Sequence, residues 1–245
     1  MRLFTWQVTL GITLVVLSAI FYAIQIAVFG RPGETFFYML QDIAFVPVQV
    51  LLVTLLLNEL FKRREKAALQ KKMNRVIGAF FSEAGTELLK AASSFDTRTG
   101  EISRSVVFTR DWVVRDFDAA IRAVRAHDFA VDSRAGDLLG LKVFLADKRL
   151  FLLRLLENPN LLEHESFTEL LWAVFHLTEE LGHRTELAAL SDSDREHLAG
   201  DIRRAYSLLI SEWLAYNRHL KEDYPYMYSL VMRTNPFDPD ARVEV

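Results

Sequence analysis

Two histidines and two glutamates lie at helical spacing between residues 166 and 184. When each residue is advanced by 100°, as in an α-helix, the four side chains fall within about 60° of one another. Imidazole and carboxylate groups are common ligands of zinc and iron. Glu180-x-x-His183 also has the Glu-x-x-His spacing by which helical bundles bind two metal ions. The four residues are Glu169, His176, Glu180 and His183.

The rest of the same segment favours a different interpretation of these side chains. A di-metal site in a helical bundle needs a second Glu-x-x-His and two further glutamates, and the sequence has no second copy. The apolar residues centre on the opposite side of the helix; they are Phe167, Leu170, Leu171, Val174, Thr178 and Leu181. We therefore predict a solvated polar face, with a metal site as the alternative. The remaining histidines show no ligand spacing.

A carboxylate on the last long predicted helix lies close to an apolar face. Glu212 is near the face of Leu209 and Trp213, with Asp201 and His219 on the same flank. Partly buried carboxylates occur at functional sites, but bundles also use them in buried ion pairs. We expect a structural pair with an arginine.

A third set of polar residues lies inside an apolar stretch. Asp42 and Gln49 are seven residues apart, and so lie on nearly the same face of a helix. Polar side chains at membrane depth are costly unless they face protein or water. They are pore-lining candidates, although we favour the alternative that Asp42 lies at the outer interface and that Gln49 contacts another helix.

The composition excludes several classes of protein. There are no cysteines, so disulfides, thiolate metal sites and cysteine nucleophiles are absent. The net charge of −3 gives no basic excess for nucleic acid. The chain has no phosphate loop, dinucleotide turn, nucleophile elbow or zinc-protease motif. We expect no catalytic activity and no cofactor.

The charges are distributed very unevenly. The chain has 29 Lys and Arg and 32 Asp and Glu, of which only five lie in positions 1–61. Two apolar runs there are long enough to cross a bilayer, and the Gly- and Pro-containing residues 30–35 predict a turn between them. We predict a transmembrane hairpin over 1–61, with spans at about 5–29 and 38–60. A cleaved signal peptide is less favoured, because the first apolar run is too long and lacks a cleavage site.

Basic residues follow the second run and predict the orientation. Seven cations lie between positions 62 and 75, against one in the turn. The positive-inside rule therefore places both termini in the cytosol, in a plasma (inner) membrane. The residues nearest the bilayer are also candidates for binding anionic lipid: Lys62, Arg63, Arg64 and Lys66.

Small residues mark helix faces that another helix can approach closely. The first span carries such a face, which includes Gly11, Ala19, Ala23 and Ala27. Gly78 and Gly85 lie on one side of the helix that continues the second span, and we expect them to admit a partner helix. Both features are typical of proteins that self-associate.

The remaining periodicity predicts an all-α protein, with a cytosolic bundle of about five helices over 62–234 and a mobile tail over 235–245. The second span continues as a helix past residue 78, and residues 93–105 resemble a loop. Further helices are expected at about 111–127, 133–158, 166–184 and 193–224. Ser166 with Glu169 should cap the helix at 166–184, and Ser193 with Glu196 should cap the helix at 193–224. The helix near 133–158 is apolar over much of its circumference, and we predict that it is central.

Three functions remain open. The first is a two-pass membrane protein whose cytosolic domain is a self-associating interaction or sensing module, which binds the lipid bilayer, further copies of itself and a cytosolic protein. The second is an oligomeric ion channel lined by the second span. The third is a membrane-bound metalloenzyme with a His/Glu site. The small-residue face, the amphipathic helices and the missing catalytic motifs favour the first.

Overall fold

The computed structural model describes residues 2–159, 161, 164–242 and 244. These residues are almost entirely helical, with one isolated bridge between Asp96 and Val131 and no strand, so the all-α prediction is confirmed. The α-helices of the described residues are α1 (Arg2–Phe29), α2 (Pro32–Phe80), α3 (Thr86–Ser93), α4 (Thr99–Val106), α5 (Val114–Ala126), α6 (Leu138–Leu156), α7 (Glu165–His183), α8 (Asp192–Asp223) and α9 (Pro225–Arg233).

Residues Met1–Lys66 form one compact unit and Ala67–Val245 a second. In the first unit the turn is shorter than the predicted 30–35, because only Gly30 and Arg31 are not helical. Gly30 has a φ of +62°, the left-handed conformation that ends many helices. Pro32 then opens α2 at once, because its fixed φ suits the first helical position. Both helices have apolar stretches long enough to cross a bilayer.

Helix α2 continues well beyond the apolar stretch, as its periodicity predicts. After Phe80 the chain makes one π-helical segment, Phe81–Gly85, before α3 begins. The Thr86 hydroxyl donates a hydrogen bond to the carbonyl of Phe81, 2.8 Å away. The π-helix is rare and occurs mostly as single turns of this kind within α-helices. Here it accommodates two adjacent buried rings, Phe80 and Phe81, which meet edge to face at 5.2 Å.

Helix α8 is the central element of the second unit, so the prediction that the helix near 133–158 is central is wrong. Fourteen residues of α8 are buried, against five of α6. Helices α3, α5, α7 and α9 all pack on α8. Although α6 is apolar over much of its circumference, it leaves part of this apolar surface exposed; the exposed residues are Leu139, Val143 and Leu150.

Two predicted helix starts are displaced. Helix α7 is capped by His164, whose Nδ1 accepts a hydrogen bond from the Phe167 amide, and not by Ser166. Helix α8 is capped by Ser191, whose hydroxyl accepts from the Asp194 amide, and not by Ser193. In both cases another residue with a suitable acceptor stands two positions earlier and takes the capping role.

Among its described residues the second unit has more helices than the five predicted, since residues 93–105 are not simply a loop. Helix α4 forms there because Ile102 and Val106, four residues apart, are both buried. The segment expected to be mobile from residue 235 also begins inside the core: Asn235 donates a hydrogen bond to the Val106 carbonyl, and Phe237 is buried. Val243 and Val245 of that tail lie outside the described residues.

Gly85 is required by its surroundings, and replacing it tests the packing at the π-helical segment. An added Cβ would lie 2.6 Å from the Phe80 ring and 2.7 Å from the Phe81 ring, both buried. We expect Gly85→Ala to lower the free energy of unfolding by about 1–3 kcal/mol, as overpacking does. The measurement is chemical denaturation of the full chain, followed by circular dichroism.

Gly200→Ala is the matched control, because Gly200 lies inside α8 with nothing within 4 Å of an added Cβ. It should raise stability by about 0.5–1 kcal/mol, the helix preference of alanine over glycine. Equal effects at the two positions would contradict the packing described here.

Candidate functional site

Helices α7 and α8 are consecutive in the chain and run antiparallel, joined by residues 184–191. Their register is visible in the side-chain pairs that face one another: His176 with Asp201, Glu180 with His197, and Arg184 with Asp194. Each helix thus presents a histidine and a carboxylate four residues apart toward the other. We call His176, Glu180, His197 and Asp201 the His/carboxylate cluster.

The distances within the cluster are short but exceed ordinary hydrogen bonds. Asp201 Oδ2 lies 3.5 Å from Nε2 of His176 and 3.3 Å from Nε2 of His197. Glu180 completes the group, with Oε2 3.5 Å from Nε2 of His197 and Oε1 3.9 Å from Nε2 of His176. Candidate ligand atoms of His176, His197 and Asp201 all lie within 4.8 Å of one another.

Burial differs sharply across the cluster. Asp201 is only 4% exposed, and its Oδ2 has no hydrogen-bond partner among the described residues. The side chains of the two histidines are about half exposed, at 47% and 53%. The cluster therefore has a buried carboxylate oxygen at its base and two imidazoles open to solvent.

Arg184 holds Glu180 at the edge of the cluster. Its Nη1 lies 2.6 Å from Oε2 of Glu180 and also donates to the Glu180 carbonyl. This hydrogen bond, together with the positive charge of Arg184, lowers the pKa of Glu180. Glu180 is therefore ionised at neutral pH and is already paired with a cation.

Of the four residues predicted to form the solvated polar face of α7, the structure brings only two into the His/carboxylate cluster. His176 and Glu180 lie at the α7–α8 contact and not on a fully solvated face. Glu169 is exposed elsewhere on α7, and His183 is exposed with Nδ1 2.7 Å from the Glu179 carbonyl. His197 and Asp201, their partners on α8, are not among the residues that the sequence analysis singles out for a metal site, although their spacing of four residues is visible in the sequence.

Glu212 is buried as expected, at 3% exposure, but Oε2 lacks a hydrogen-bond partner within the described ranges. The ion pairs found in those ranges include none between Glu212 and an arginine. The expected structural pair is thus not formed. Asp201 pairs loosely with Arg204, at 3.6 Å from Oδ1. His219 instead lies 2.8 Å from Asp223.

In the first unit Asp42 has a partner on the other apolar helix. The Tyr22 hydroxyl donates a hydrogen bond to Oδ2 of Asp42, 3.1 Å away. Gln49 is exposed. Gly11 is also open, since nothing lies within 4 Å of an added Cβ, and the other small residues of its face are exposed: Ala19, Ala23 and Ala27.

The cations proposed to bind anionic lipid are all exposed: Lys62, Arg63, Arg64 and Lys66. Arg63 pairs with Glu59 at 2.8 Å.

In the second unit, a recess of about 600 Å³ is lined by two further cations, Lys71 and Arg75, and by Tyr216. An added Cβ at Gly78 would lie 2.7 Å from the Tyr216 hydroxyl, so Gly78 admits a side chain of α8 as close as a glycine allows. Gly85 instead accommodates the rings of Phe80 and Phe81, and not a partner helix.

Two family models and one known protein match nearly the whole chain. Residues 2–61 match a family model described as the MJ1433 N-terminal helical domain, and residues 69–233 match the C-terminal helical domain of Uncharacterized protein MJ1433. That protein, from Methanocaldococcus jannaschii, is 43% identical to this chain over 233 residues, which cover 95% of this chain and 94% of the relative. No solved structure matches. The chain belongs to the MJ1433 family.

Proposed function

We propose that the protein is a two-pass integral membrane protein that holds a helical interaction domain at the cytosolic face of the membrane. Of the 41 large apolar side chains that are exposed among the described residues, 31 precede residue 62. Some of them are exposed by more than 60%, for example Val15, Phe21 and Leu56. A bilayer would cover this surface, and helices satisfy their backbone groups without water.

The orientation follows from the charges near the end of the second apolar stretch. Four exposed cations lie between Lys62 and Lys66, and only one of them is paired among the described residues, Arg63 with Glu59; the turn has a single cation, Arg31, which is paired with Glu34 at 2.9 Å. Under the positive-inside rule, the basic side faces the cytosol and the turn faces outward. The same cations are then placed to bind anionic headgroups.

The absence of cysteine makes this topology directly testable. In the Gly33→Cys variant, a membrane-impermeant maleimide should label intact cells, because position 33 lies next to the turn. In the Arg122→Cys variant, at an exposed position of α5, labelling should require permeabilisation. Both variants should remain in the membrane pellet after alkaline carbonate extraction.

Two outcomes would contradict this topology. Release of the chain by carbonate would exclude an integral membrane protein. Labelling of the Arg122→Cys variant in intact cells, with protection at position 33, would reverse the orientation.

An exposed apolar stripe on α6 supports the interaction role of the domain. Leu139, Val143 and Leu150 are each about 60% exposed and, at spacings of four and seven residues, lie on one face. Trp172 on the adjacent helix α7 is exposed to a similar extent. Exposed apolar side chains on two helices in contact with each other favour an interaction surface. We propose that this stripe contacts a second copy of the chain, and that the small-residue face of α1 does so as well.

The stripe can be tested by a charge at its centre. Val143→Glu should raise the dissociation constant of self-association about tenfold or more, because a charge would be desolvated in the contact. Native mass spectrometry of the full chain in mild detergent measures the change in subunit number. Arg122→Glu, at an exposed site on α5, is the control and should leave the mass of the assembly unchanged. A monomeric wild-type protein would contradict self-association.

The channel remains the second candidate function, with Asp42 and Gln49 lining a path between copies. The Tyr22 hydrogen bond favours a simpler role for Asp42. It gives the carboxylate a polar partner within the hairpin, which reduces the cost of its depth in the membrane. We therefore propose Asp42 as a contact between α1 and α2.

Removing the Tyr22 hydroxyl tests this contact. Tyr22→Phe should destabilise the association of α1 with α2 by about 0.6 kcal/mol, the average value for such hydrogen bonds in membranes. The measurement is SDS titration in mixed micelles, followed by energy transfer between one label on each helix. Asp42→Asn is the control, since its amide oxygen still accepts the bond. A channel role would instead appear as a change of cation conductance in the Asp42→Asn variant, with no effect of Tyr22→Phe.

A further inference from the structure

The carboxylate of Asp201 is buried, and one of its oxygens lacks a hydrogen-bond partner among the described residues. Its Oδ2 is inaccessible to solvent and accepts no hydrogen bond from the residues that the structure describes. A buried carboxylate oxygen without a partner is costly. Arg204 approaches only the other oxygen, at 3.6 Å, and is itself mostly exposed. A cation bound at Oδ2 would remove this cost.

The atoms around Oδ2 are metal-ligand atoms at metal-ligand spacing. Two ligands each about 2.1 Å from a tetrahedral ion lie about 3.4 Å apart. The Nε2 atoms of His176 and His197 lie 3.5 and 3.3 Å from Oδ2. A small shift of two partly exposed imidazoles would bring all three atoms onto one ion.

We propose that His176, His197 and Asp201 bind one divalent transition-metal ion. The site lies in the helical domain, and metal binding there is a property separate from the membrane-anchored role that we propose above. Two imidazoles and one carboxylate are the ligands that zinc and iron(II) accept in proteins, with coordination positions left open. Calcium and magnesium favour oxygen ligands and are poorly matched by two nitrogens.

Glu180 and Arg184 define the solvent side of the site. Glu180 lies 3.5 Å from Nε2 of His197, but its Oε2 is held by Arg184 at 2.6 Å. It therefore acts as a neighbour of the ion and not as a fourth ligand, placed to accept a hydrogen bond from a water on the metal. The exposure of the two imidazoles leaves a path by which the ion can enter.

The experiment uses the full chain, purified without a histidine tag, stripped with chelator and kept in detergent at about pH 8, where free imidazole is neutral. Zn²⁺ is titrated by calorimetry and its content measured after dialysis. We expect one equivalent bound by the wild type. Free Zn²⁺ at about 100 times its dissociation constant should raise the melting temperature by about 5–10 °C. Co²⁺ in its place should give the visible absorption of a low-coordinate site.

Three variants distinguish a metal site at Asp201 from adventitious binding of Zn²⁺ to surface histidines. Asp201→Asn and His197→Gln should weaken Zn²⁺ binding by about 100-fold or more. His183→Gln is the matched control, because His183 is an exposed histidine on α7 outside the cluster, and its affinity should equal that of the wild type. In chelator, Asp201→Asn should melt no lower than the wild type, since it removes a buried charge whose Oδ2 lacks a hydrogen-bond partner among the described residues and whose Oδ1 is paired only loosely with Arg204.

Other results would contradict the metal site. Less than about a tenth of an equivalent of Zn²⁺ on the wild type, or binding that survives Asp201→Asn, would overturn the proposal. If Asp201 only pairs with protonated histidines, Asp201→Asn would lower the melting temperature in chelator, and Zn²⁺ would shift none of the proteins.

Discussion

Helices α1 and α2 satisfy their own backbone hydrogen bonds but leave apolar side chains exposed on every side between residues 8 and 61. In water each Å² of this surface would cost about 25 cal/mol, whereas in a bilayer the cost disappears. The need to cover this surface governs the function that we propose for the chain. It accounts for the near absence of charge before residue 62 and for the cations directly after it.

The second unit obeys the opposite constraint, because it buries its apolar residues against its own helices. Helix α8 supplies the largest share, with the rings of Tyr206 and Trp213 fully enclosed. Burial raises the pKa of Tyr206, so its phenol is neutral at physiological pH. Asp201 and Glu212 lie on the same helix and are also buried. Helix α8 thus carries both the largest share of the core and the carboxylate that we propose as a metal ligand.

The all-α class and the continuation of α2 were predictable because they depend on periodicity and composition within single segments. The helix starts at His164 and Ser191 were not, since two acceptors compete within three residues and the tertiary packing decides between them. Helix α4 was missed because its segment is rich in turn-forming residues, although Ile102 and Val106 are spaced for one helical face. The centrality of α8 could not be predicted from apolar content, because α6 is more apolar and yet partly exposed.

Only half of the His/carboxylate cluster could be predicted, because its other half depends on the register between two helices. The spacing of His176 and Glu180 is a property of α7 alone, whereas their approach to His197 and Asp201 depends on the connection over residues 184–191.

Electron paramagnetic resonance of spin labels measures whether lipid covers the helical hairpin, as we propose. Labels are placed one at a time over residues 43–58 of the cysteine-free chain in bilayers, and their accessibility to oxygen and to a polar nickel complex is compared. If lipid covers α1 and α2, we expect access to oxygen and exclusion of nickel at every position, with nickel access rising after Lys62. Nickel access throughout the stretch, or at every third or fourth position as in a water-filled pore, would contradict it.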